Sequence, residues 1–431
     1  MKIIFVRPNM INERQSDAME PLAFAVLSAL TPDDIETNLY DDRVEEIDYD
    51  DKCDLVAISV ETFTAKRAYN IALEYRKRNI PVIMGGFHTT FLPEESLMFA
   101  DSVVVGDAEI SWPQVIADLR KGSLKRMYQN TVTSLDNIEF SRRIFENKPY
   151  NKISPVQFSR GCKHHCDFCS VKAFYGKNLM QRPLDEVVKE IENIKNRYIF
   201  FADDNLFFNP KIAKELFQRL TSLGVKWACQ MSLDVAKNEE LLILMRKSGC
   251  ISALIGFESL DVHNLMQMKK SVNTRYEYKD IVKKFNNNGI MLFGTFVIGY
   301  DFDTRESFEK TLDFAIESKM CLAQFNPLMP MPGTTLYEKF RSEGRLIYDK
   351  WWLDPEYRYG KAMFVPKNMT PDELSEGIHD IRIKFNKYSS IIKRSFSKAN
   401  AGNLSNLMWY TVTNLVTKRE ILRKNNRILG I

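Results

Sequence analysis

The sequence predicts an α/β fold with two parallel sheets followed by a helical C-terminal region. Short apolar runs rich in Val and Ile recur along the first 345 residues, and longer amphipathic stretches separate them. Continuous apolar strands that alternate with helices are typical of parallel sheets, which are buried on both faces. A length of 431 residues with 45% hydrophobic residues is enough for two or three domains with substantial cores.

Residues 1–130 carry the first series of strands and helices. The strand-like runs are "KIIFV", "LVAISV", "PVIMGG" and "DSVVVGD", and "TAKRAYNIALEYRKRN" is one of the amphipathic stretches between them. This pattern predicts an N-terminal Rossmann-like, doubly wound parallel sheet, whose ligands bind beyond the carboxyl ends of its strands. Residues 131–152 lose the alternation and are predicted to be a linker.

A second series occupies residues 153–345. Six strand-like runs, "ISPVQF", "YIFFAD", "KWACQMS", "ISALIGFE", "IMLFGTFVIG" and "CLAQFNP", alternate with helical stretches. They predict a partial (β/α)6 barrel of the TIM type, with its chemistry at the carboxyl ends of the strands. Residues 346–431 carry "WWLDPEYRYG" near their start, at 351–360, and continue as a helical region. The aromatic segment either closes the mouth of the barrel over a substrate or fills a core between barrel and tail.

The charge distribution is uneven. From residue 380 to the end there are eleven Lys and Arg against two Asp and Glu, whereas the rest of the chain is slightly acidic. This basic tail is either a solvated helical face or a peripheral contact with a membrane or another anionic partner. Nucleic acid is not expected, because no recognised binding motif is present.

The first ten residues, "MKIIFVRPNM", are too short in apolar sequence for a signal peptide, and no later run approaches a membrane span. A soluble, cytoplasmic protein is therefore expected. Seven cysteines, an odd number, argue against a disulfide framework and for reduced thiols or metal ligands.

Three of the cysteines, Cys162, Cys166 and Cys169, lie in "FSRGCKHHCDFCSVKAFYG", directly after the first strand of the second series. Zinc would need a fourth ligand, and no second paired motif lies nearby, while His164 and His165 compete for space with the cysteines. A [4Fe-4S] cluster needs three thiolates if one iron is to stay open for a substrate. The residues alone leave the cluster, zinc and a chance grouping of thiols as alternatives.

The spacing Cys162-x3-Cys166-x2-Cys169, with "SRG" before it and Phe168 inside it, resembles the cluster motif of radical S-adenosylmethionine (SAM) enzymes. The resemblance implies that the open iron chelates SAM and that one electron, from a flavodoxin- or ferredoxin-type donor, cleaves SAM to a 5′-deoxyadenosyl radical. That radical abstracts a hydrogen atom, which no side chain can do.

Later stretches, "FFADDNLF", "QMSLD", "LIGFESL", "TFVIGYD" and "NPLMPMPGTTLY", match motifs of the same family in order. The resemblance assigns SAM contacts to Phe168, Asp203, Asp204, Gln230, Ser232, Glu258, Val297, Ile298, Gly299 and Pro330. Each of these residues also has a purely structural interpretation. The carboxylates could cap the next helix, and the glycines and prolines could form turns.

The N-terminal region resembles the cobalamin-binding domain of one radical SAM branch, which contains hopanoid methylases and an anaerobic cyclase of bacteriochlorophyll synthesis. "MEPLAFAVLSAL", "PVIMGGFHTTFLPEE" and "SVVVGDAEISWPQV" carry the resemblance, although "EPLA" and "GDAE" replace the common "PPLG" and "GEGE". The cobalamin contacts that it implies are Thr62, Phe63, Thr64, Gly85, Gly86, His88, Gly106 and Glu109. No DxHxxG motif is present, so no histidine is expected below the cobalt, and His88 is equally a candidate core residue.

The resemblance implies a cobalamin-dependent methyltransferase that acts on an unactivated carbon of a small-molecule, lipid or natural-product substrate. The alternatives are a cyclase, a rearrangement or another transfer of a SAM fragment with a cobalamin-free N-terminal domain, and an iron–sulfur sensor without catalysis. A methylthiotransferase is disfavoured, because Cys53 is the only cysteine before residue 160.

Overall fold

The chain forms two six-stranded sheets, each parallel throughout, in a computed structural model that describes residues 1–15 and 17–430. The α/β class with parallel sheets is therefore confirmed. The strands of the first sheet are β1 (Lys2–Arg7), β2 (Glu36–Asp41), β3 (Leu55–Ser59), β4 (Val82–Gly85), β5 (Ser102–Val105) and β6 (Met127–Gln129). They lie side by side in the order β2-β1-β3-β4-β5-β6.

Helices cover both faces of the first sheet. They are α1 (Leu22–Leu30), α2 (Ala65–Lys77), α3 (Phe87–Phe91), α4 (Pro93–Ser96) and α5 (Ser111–Arg120), with a 3₁₀ turn at Thr62–Thr64. In β1, Ile4 and Val6 belong to the core against α2, whereas Ile3 and Phe5 belong to the core on the opposite face. The strand reads as a continuous apolar run because both of its faces are buried.

The second sheet pairs its strands in chain order. Its strands are β7 (Ile153–Val156), β10 (Tyr198–Phe201), β11 (Lys226–Met231), β12 (Cys250–Glu258), β13 (Met291–Ile298) and β14 (Leu322–Pro327). Between β7 and β10, a short antiparallel pair, β8 (Ser159–Arg160) and β9 (Met180–Gln181), flanks the cysteines. The largest core of the protein lies between this sheet and its helices.

The helices of the second series are α6 (Ser170–Tyr175), α7 (Leu184–Asn193), α8 (Pro210–Leu223), α9 (Glu239–Lys247), α10 (Val262–Gln267), α11 (Tyr278–Asn287), α12 (Arg305–Glu317) and α13 (Thr335–Ser342). Further 3₁₀ turns lie at Arg142–Phe145, Leu233–Lys237 and Asn273–Arg275. The helix α8 has a side-chain cap, because Asn209 accepts hydrogen bonds from the amides of Lys211 and Ile212.

The segment predicted to be a linker packs against the first sheet. Ile144 and Phe145 are buried in the same core as Phe5, and the Tyr150 hydroxyl donates to Asp41 at 2.9 Å. Two large apolar side chains in this short stretch account for the packing, because leaving them exposed would be unfavourable.

The aromatic segment after α13 is a core between the two sheets, not between barrel and tail. Trp351 and Trp352 are fully buried. The Trp351 indole donates to the carbonyl of Pro330 at 3.0 Å, and that of Trp352 donates to the Glu95 carboxylate at 2.9 Å. These bonds join the loop after β14 to α4 of the first sheet.

Four helices end the chain: α14 (Pro371–Phe385), α15 (Tyr388–Ser395), α16 (Lys398–Ala401) and α17 (Leu404–Lys424). The first, α14, packs on β14 within the largest core. The other three pack at the amino ends of the second sheet, where Ile391, Ala399 and Tyr410 form a small core with the first residues of β12 and β13. Within the described residues, no helix combines the length and apolar character that a bilayer span requires.

Arg394 of α15 joins this helical region to the sheet. Its guanidinium is fully buried and donates to the carbonyls of Met320, Cys321 and Phe385. It also donates to the side chains of Asn414 at 2.9 Å and Ser390 at 3.2 Å.

We expect Arg394→Ala to lower the free energy of unfolding by about 3 kcal/mol or more, because it leaves buried carbonyls unpaired. Urea titration followed by circular dichroism measures this. The exposed neighbour Lys393→Ala is the control, and an equal effect of both variants would contradict the prediction.

Glu95 links the aromatic segment to the first sheet through its charge. Burial alone would raise the pKa of Glu95, but hydrogen bonds from His88, Lys350 and Trp352 outweigh it and lower the pKa to about 2. The stabilisation is therefore present above the ordinary pKa of 4.5 and lost as pH falls through about 2.

We expect Glu95→Gln to destabilise the protein by about 1–3 kcal/mol at neutral pH, with the difference from wild type shrinking as pH falls below 4.5. Urea titrations at a series of pH values measure that difference, with the exposed Glu94→Gln as the control. A difference that stays constant across the acid range would contradict this role of the charge.

Candidate active site

The three motif cysteines share one loop, residues 161–169, which we call the cysteine loop. It follows β8, and Cys169 is the N-cap residue of α6. Cys166 is buried and the other two thiols are half-buried. Burial raises the pKa of the Cys166 thiol to about 12 and also raises that of Cys169, and the neighbouring thiols add to both shifts. The three thiols are therefore close enough to interact, and Cys166 and Cys169 are poor thiolates unless a metal ionises them.

Gly161 opens the cysteine loop with a φ of +90°. A Cβ at this position would lie 2.3 Å from the carbonyl oxygen of Asn178, so only glycine fits. Among the described residues, no three His, Cys, Asp or Glu side chains converge on a point where a single metal ion would bind.

Two carboxylates after β10 hold the start of the loop. Asp203 is buried and accepts hydrogen bonds from the amide of Phe158 and from the amide and hydroxyl of Ser159. Burial raises the pKa of Asp203 to about 7, although these donors oppose the shift. Asp204 is half-buried and accepts from the Gly161 amide at 2.8 Å. Asp203 thus binds the backbone that leads into the cysteine loop, and Asp204 binds the first amide of the loop. The contact of both carboxylates with SAM stays a prediction.

The middle of the loop is held from the other side of the sheet. The Tyr300 hydroxyl, just beyond β13, donates to the Asp167 carboxylate at 2.7 Å. The Asp167 amide donates to the carbonyl of Met268, and its carbonyl accepts from the amide of Leu336. The loop is thereby connected to the segments that follow β12, β13 and β14.

Asn205 links the loop to the end of β11. Its side-chain oxygen accepts from the amides of Phe207 and Ser232, and its Nδ2 lies 4.0 Å from Sγ of Cys162. Gln230 is exposed, and its Nε2 donates to the carbonyl of Asp204 at 3.1 Å. Of the predicted set, Gln230 and Ser232 therefore lie at the edge of the site beside the cysteine loop.

Glu258 ends β12 in a left-handed conformation, with a φ of +64°. Non-glycine residues adopt this conformation at a cost, and such strain is concentrated at functional sites. Its buried carboxylate forms an ion pair with Lys270 at 2.5 Å. Burial alone would lower the pKa of Lys270, but the Glu258 carboxylate and the Cys166 thiol outweigh it and raise the pKa. A buried cation therefore lies beside the cysteine loop.

The remaining predicted SAM residues differ in exposure. Phe168 and Val297 are half-buried, whereas Ile298, Gly299 and Pro330 are buried. The Gly299 amide donates to Asp303 at 2.8 Å, and the Pro330 carbonyl accepts from Trp351. The Gly299 amide and the Pro330 carbonyl thus both form hydrogen bonds with side chains of the protein.

A cavity of about 470 Å³ lies between the carboxyl edge of the first sheet and the strands β7 and β10. Four of the predicted cobalamin residues line it: Gly85, Gly86, Gly106 and Glu109. Phe174 and Tyr175 of α6 form the facing wall, and the Phe174 ring stacks on Phe87 at 4.4 Å. Because α6 begins at Cys169, one short helix joins the cysteine loop to the cavity.

The cavity contains polar groups with unused hydrogen-bonding capacity. Arg160, from β8, pairs with Glu109 at 2.6 Å and with Asp107 at 3.2 Å. Oε2 of Glu109 is nevertheless buried without a hydrogen-bond partner. Such an orphaned atom fits a polar ligand in the cavity, because leaving it unpaired is costly.

The other four predicted cobalamin residues, Thr62, Phe63, Thr64 and His88, are not among those that line this cavity. Phe63 packs on Trp351 with ring centres 4.9 Å apart, and Thr62 and Thr64 are buried. His88 is fully buried, and its ring nitrogens contact Thr62, Tyr69 and Glu95. His88 is therefore a core histidine, and the sequence could not exclude this because its partners lie on other elements.

Comparison with known proteins identifies the family to which this chain is similar. The model of the radical SAM superfamily matches residues 156–315. The chain is 31% identical to the bacteriochlorophyllide d C-12(1)-methyltransferase of Chlorobaculum tepidum, over 80% of this chain and 77% of that relative. It is 26% identical to the hopanoid C-2 methylase of Rhodopseudomonas palustris, over 77% of this chain and 66% of that relative.

The chain belongs to the radical SAM superfamily. Within it, the predicted branch, which holds hopanoid methylases and the anaerobic magnesium-protoporphyrin ester cyclase, is confirmed. The fold is also that of the radical SAM methyltransferase TsrM from Kitasatospora setae, solved with cobalamin and a [4Fe-4S] cluster. The two share a TM-score of 0.64 and 16% identity, over 79% of this chain and 75% of that one.

The cysteine loop fits the cluster of a radical SAM enzyme. Three mutually close thiols on one rigid loop match the donor set of a [4Fe-4S] cluster with one open iron. Sequence reasoning missed Asp167, Asn205, Tyr300 and Lys270, which support the loop. Asp167 lies inside the motif and Asn205 directly follows the aspartate pair, but nothing in the sequence indicates the partners of Tyr300 or Lys270.

We expect Asp203→Asn to lower the iron and sulfide content of this radical SAM enzyme by about tenfold after anaerobic reconstitution and desalting. The reason is that the amides of Phe158 and Ser159 donate to different oxygens of Asp203, so the amide nitrogen of asparagine would face one of the two and lose that hydrogen bond. Iron and sulfide assays with absorbance spectra measure the effect. The exposed Asp185→Asn is the control, and full cluster content in Asp203→Asn would show that the loop needs no such support.

Proposed function

We propose that this radical SAM enzyme is a cobalamin-dependent methyltransferase that acts on an unactivated carbon of a small-molecule or lipid-like substrate. The single observation that carries the proposal is the short helix α6. It begins at the cluster ligand Cys169 and ends at Tyr175 in the wall of the cavity. A radical-generating site and a second cofactor site that share one helix are suited to transfer between them.

The proposed arrangement divides the chain as the sequence predicted. Residues 1–130 would be the Rossmann-like cobalamin domain, 131–152 the connection, 153–345 the partial (β/α)6 barrel and 346–431 the helical region. Two facts support it: the first sheet contributes the glycine loops of the cavity, and the second sheet pairs six parallel strands in chain order. The names of the relatives, which are methyltransferases, support the reaction class.

When bound, the cluster with SAM supplies hydrogen abstraction from carbon, and cobalamin supplies a methyl group. The protein's own task is placement. Cys162, Cys166 and Cys169 would hold the cluster, and the half-buried or exposed Asp204, Gln230, Ser232 and Val297 are the proposed SAM contacts. The buried Glu258 and Lys270 place a fixed ion pair next to the loop.

In the cavity, Glu109 would bind a polar group of cobalamin through its unpaired oxygen, Arg160 would lie beside it, and Gly86 would let backbone approach the ligand closely. Among the described residues, those that line the cavity include no histidine, so this site would offer no imidazole to cobalt. The apolar wall formed by Phe87 and Phe174 would exclude water. An external reductant must supply the electron.

The test is anaerobic reconstitution with iron, sulfide and hydroxocobalamin, followed by desalting and an absorbance spectrum. We expect both cluster and corrin absorbance, and formation of 5′-deoxyadenosine when SAM and a strong reductant are added. The variant Ala23→Trp should lose corrin by about tenfold and keep the cluster, because Ala23 is an exposed residue at the cavity. Cys162→Ala should lose 5′-deoxyadenosine.

The outcomes separate the alternatives. Cluster and 5′-deoxyadenosine without corrin would contradict the methyltransferase and favour a cobalamin-free cyclase or rearrangement. A stable cluster without 5′-deoxyadenosine would favour a sensor. Corrin retained equally by Ala23→Trp would show that cobalamin binds somewhere other than this cavity.

A further inference from the structure

The C-terminal helix α17 faces solvent with its apolar side. Six residues at helical spacing make up this side: Leu404, Leu407, Met408, Val412, Leu415 and Leu422. All of them are exposed, and Leu404 is 83% exposed. Soluble proteins seldom leave a contiguous apolar stripe of this length uncovered, and such stripes mark interaction surfaces.

The inward side of the same helix combines an apolar contact with buried polar ones. Tyr410 packs in the small core with Ile391 and Ala399. Asn406 donates to the carbonyls of Gly289 and Ala399, and Asn414 donates to the carbonyl of Cys321 and accepts from Arg394. Tyr410 and these buried bonds determine which side of α17 faces the protein, and the apolar stripe is left outward.

Helix α15 extends the same surface. Tyr388 and Ile392 are exposed on its outer side, and Phe396 just after it is 69% exposed. Nζ of Lys418, from α17, lies 3.4 Å from the centre of the Tyr388 ring, so the outer sides of the two helices adjoin. We call the exposed side of α15 and α17, with Phe396, the tail face.

The charges of the tail itself around this face are basic. Lys387, Lys393, Lys418 and Arg419 lie on or beside it, and within residues 1–15 and 17–430 none of them has a carboxylate within 4.0 Å. The two acidic residues of the tail are engaged elsewhere. Asp380 pairs with Lys384, and Glu420 is buried against Arg423 and Lys424. The face is therefore apolar with a basic margin, and the exposed Glu317 of α12 lies near Phe396 at its end.

We propose that the tail face docks the protein on the surface of an anionic lipid bilayer. The apolar residues would enter the boundary between headgroups and acyl chains, and the lysines and arginine would meet anionic headgroups. A second copy of the chain is less suited to this surface, because a two-fold contact would bring basic margins together without carboxylates of the tail to pair them. The helix binds in the plane of the surface and does not span the bilayer.

The docked orientation follows from the packing. The helices that carry the tail face lie at the amino ends of the second sheet, against Ile251 and Met291. The cysteine loop follows the opposite, carboxyl end of β7. Docking would therefore leave the candidate active site directed away from the bilayer, and this inference does not depend on the proposed methyl transfer.

The test is co-sedimentation of the full chain with vesicles of equal parts phosphatidylglycerol and phosphatidylcholine, compared with pure phosphatidylcholine. We expect binding to the anionic vesicles that weakens as salt is added. The double variant Met408→Glu with Leu415→Glu should lower the partition coefficient about tenfold or more, because it removes two side chains from the apolar stripe. Lys393→Glu with Arg419→Glu should also weaken binding.

Met98→Glu is the matched control, because Met98 is as exposed as Met408, at 59% and 55%, and lies on the first sheet's side of the protein. It should bind vesicles like wild type. Circular dichroism and the absorbance of the reconstituted cluster, which should be unchanged in every variant, report intact folding. The proposal would be overturned if the wild-type protein did not co-sediment with anionic vesicles. A dimer, detected by light scattering, that the double variant dissociates would also overturn it, since it would assign the face to a second copy.

Discussion

The conformation of the cysteine loop depends on two carboxylates that bind its backbone and its neighbours. Asp203 receives the amides of Phe158 and Ser159 at the start of the loop, and Asp167 receives the Tyr300 hydroxyl in its middle. Asp203 belongs to the segment after β10, and Tyr300 to the segment after β13. The backbone that carries the three thiols is therefore attached to two separate strands of the second sheet. This prior order lowers the conformational cost of assembling a cluster on a loop.

The same loop connects the two sheets. Arg160 precedes it and pairs with Asp107 and Glu109 from the first sheet, while α6 follows it and contributes Phe174 to the cavity. Only a few residues of α6 therefore separate Cys169 from the wall of the cavity. On the far side of the cavity, the glycine loops after β4 and β5 keep their backbone close to the open space. This continuity is the structural reason to consider the two sites as parts of one reaction centre.

The sequence predicted the two series of strands, the cysteine loop and the glycine loops, because each depends on local period or spacing. It did not predict that Asp203 binds the loop, since its partner lies 44 residues away and only the fold brings them together. His88 lies in a glycine-rich loop and was a candidate cobalamin contact. In the structure its Nε2 atom contacts Tyr69 and Glu95 in the core. The sequence also could not predict which side of α17 faces solvent. Apolar residues occur around the whole helix, and the buried side-chain amides of Asn406 and Asn414 help to determine its rotation.

The central claim is that the chain supplies three cluster ligands and leaves the fourth position for SAM. Electron paramagnetic resonance of the reconstituted, reduced protein tests it directly, with SAM labelled by ¹⁷O in its carboxylate and ¹⁵N in its amino group. The account predicts that SAM changes the signal of the reduced cluster and that electron–nuclear double resonance detects coupling to both labels. A signal that SAM does not change, with no coupling to either label, would show that the protein itself fills the fourth position and would contradict the account.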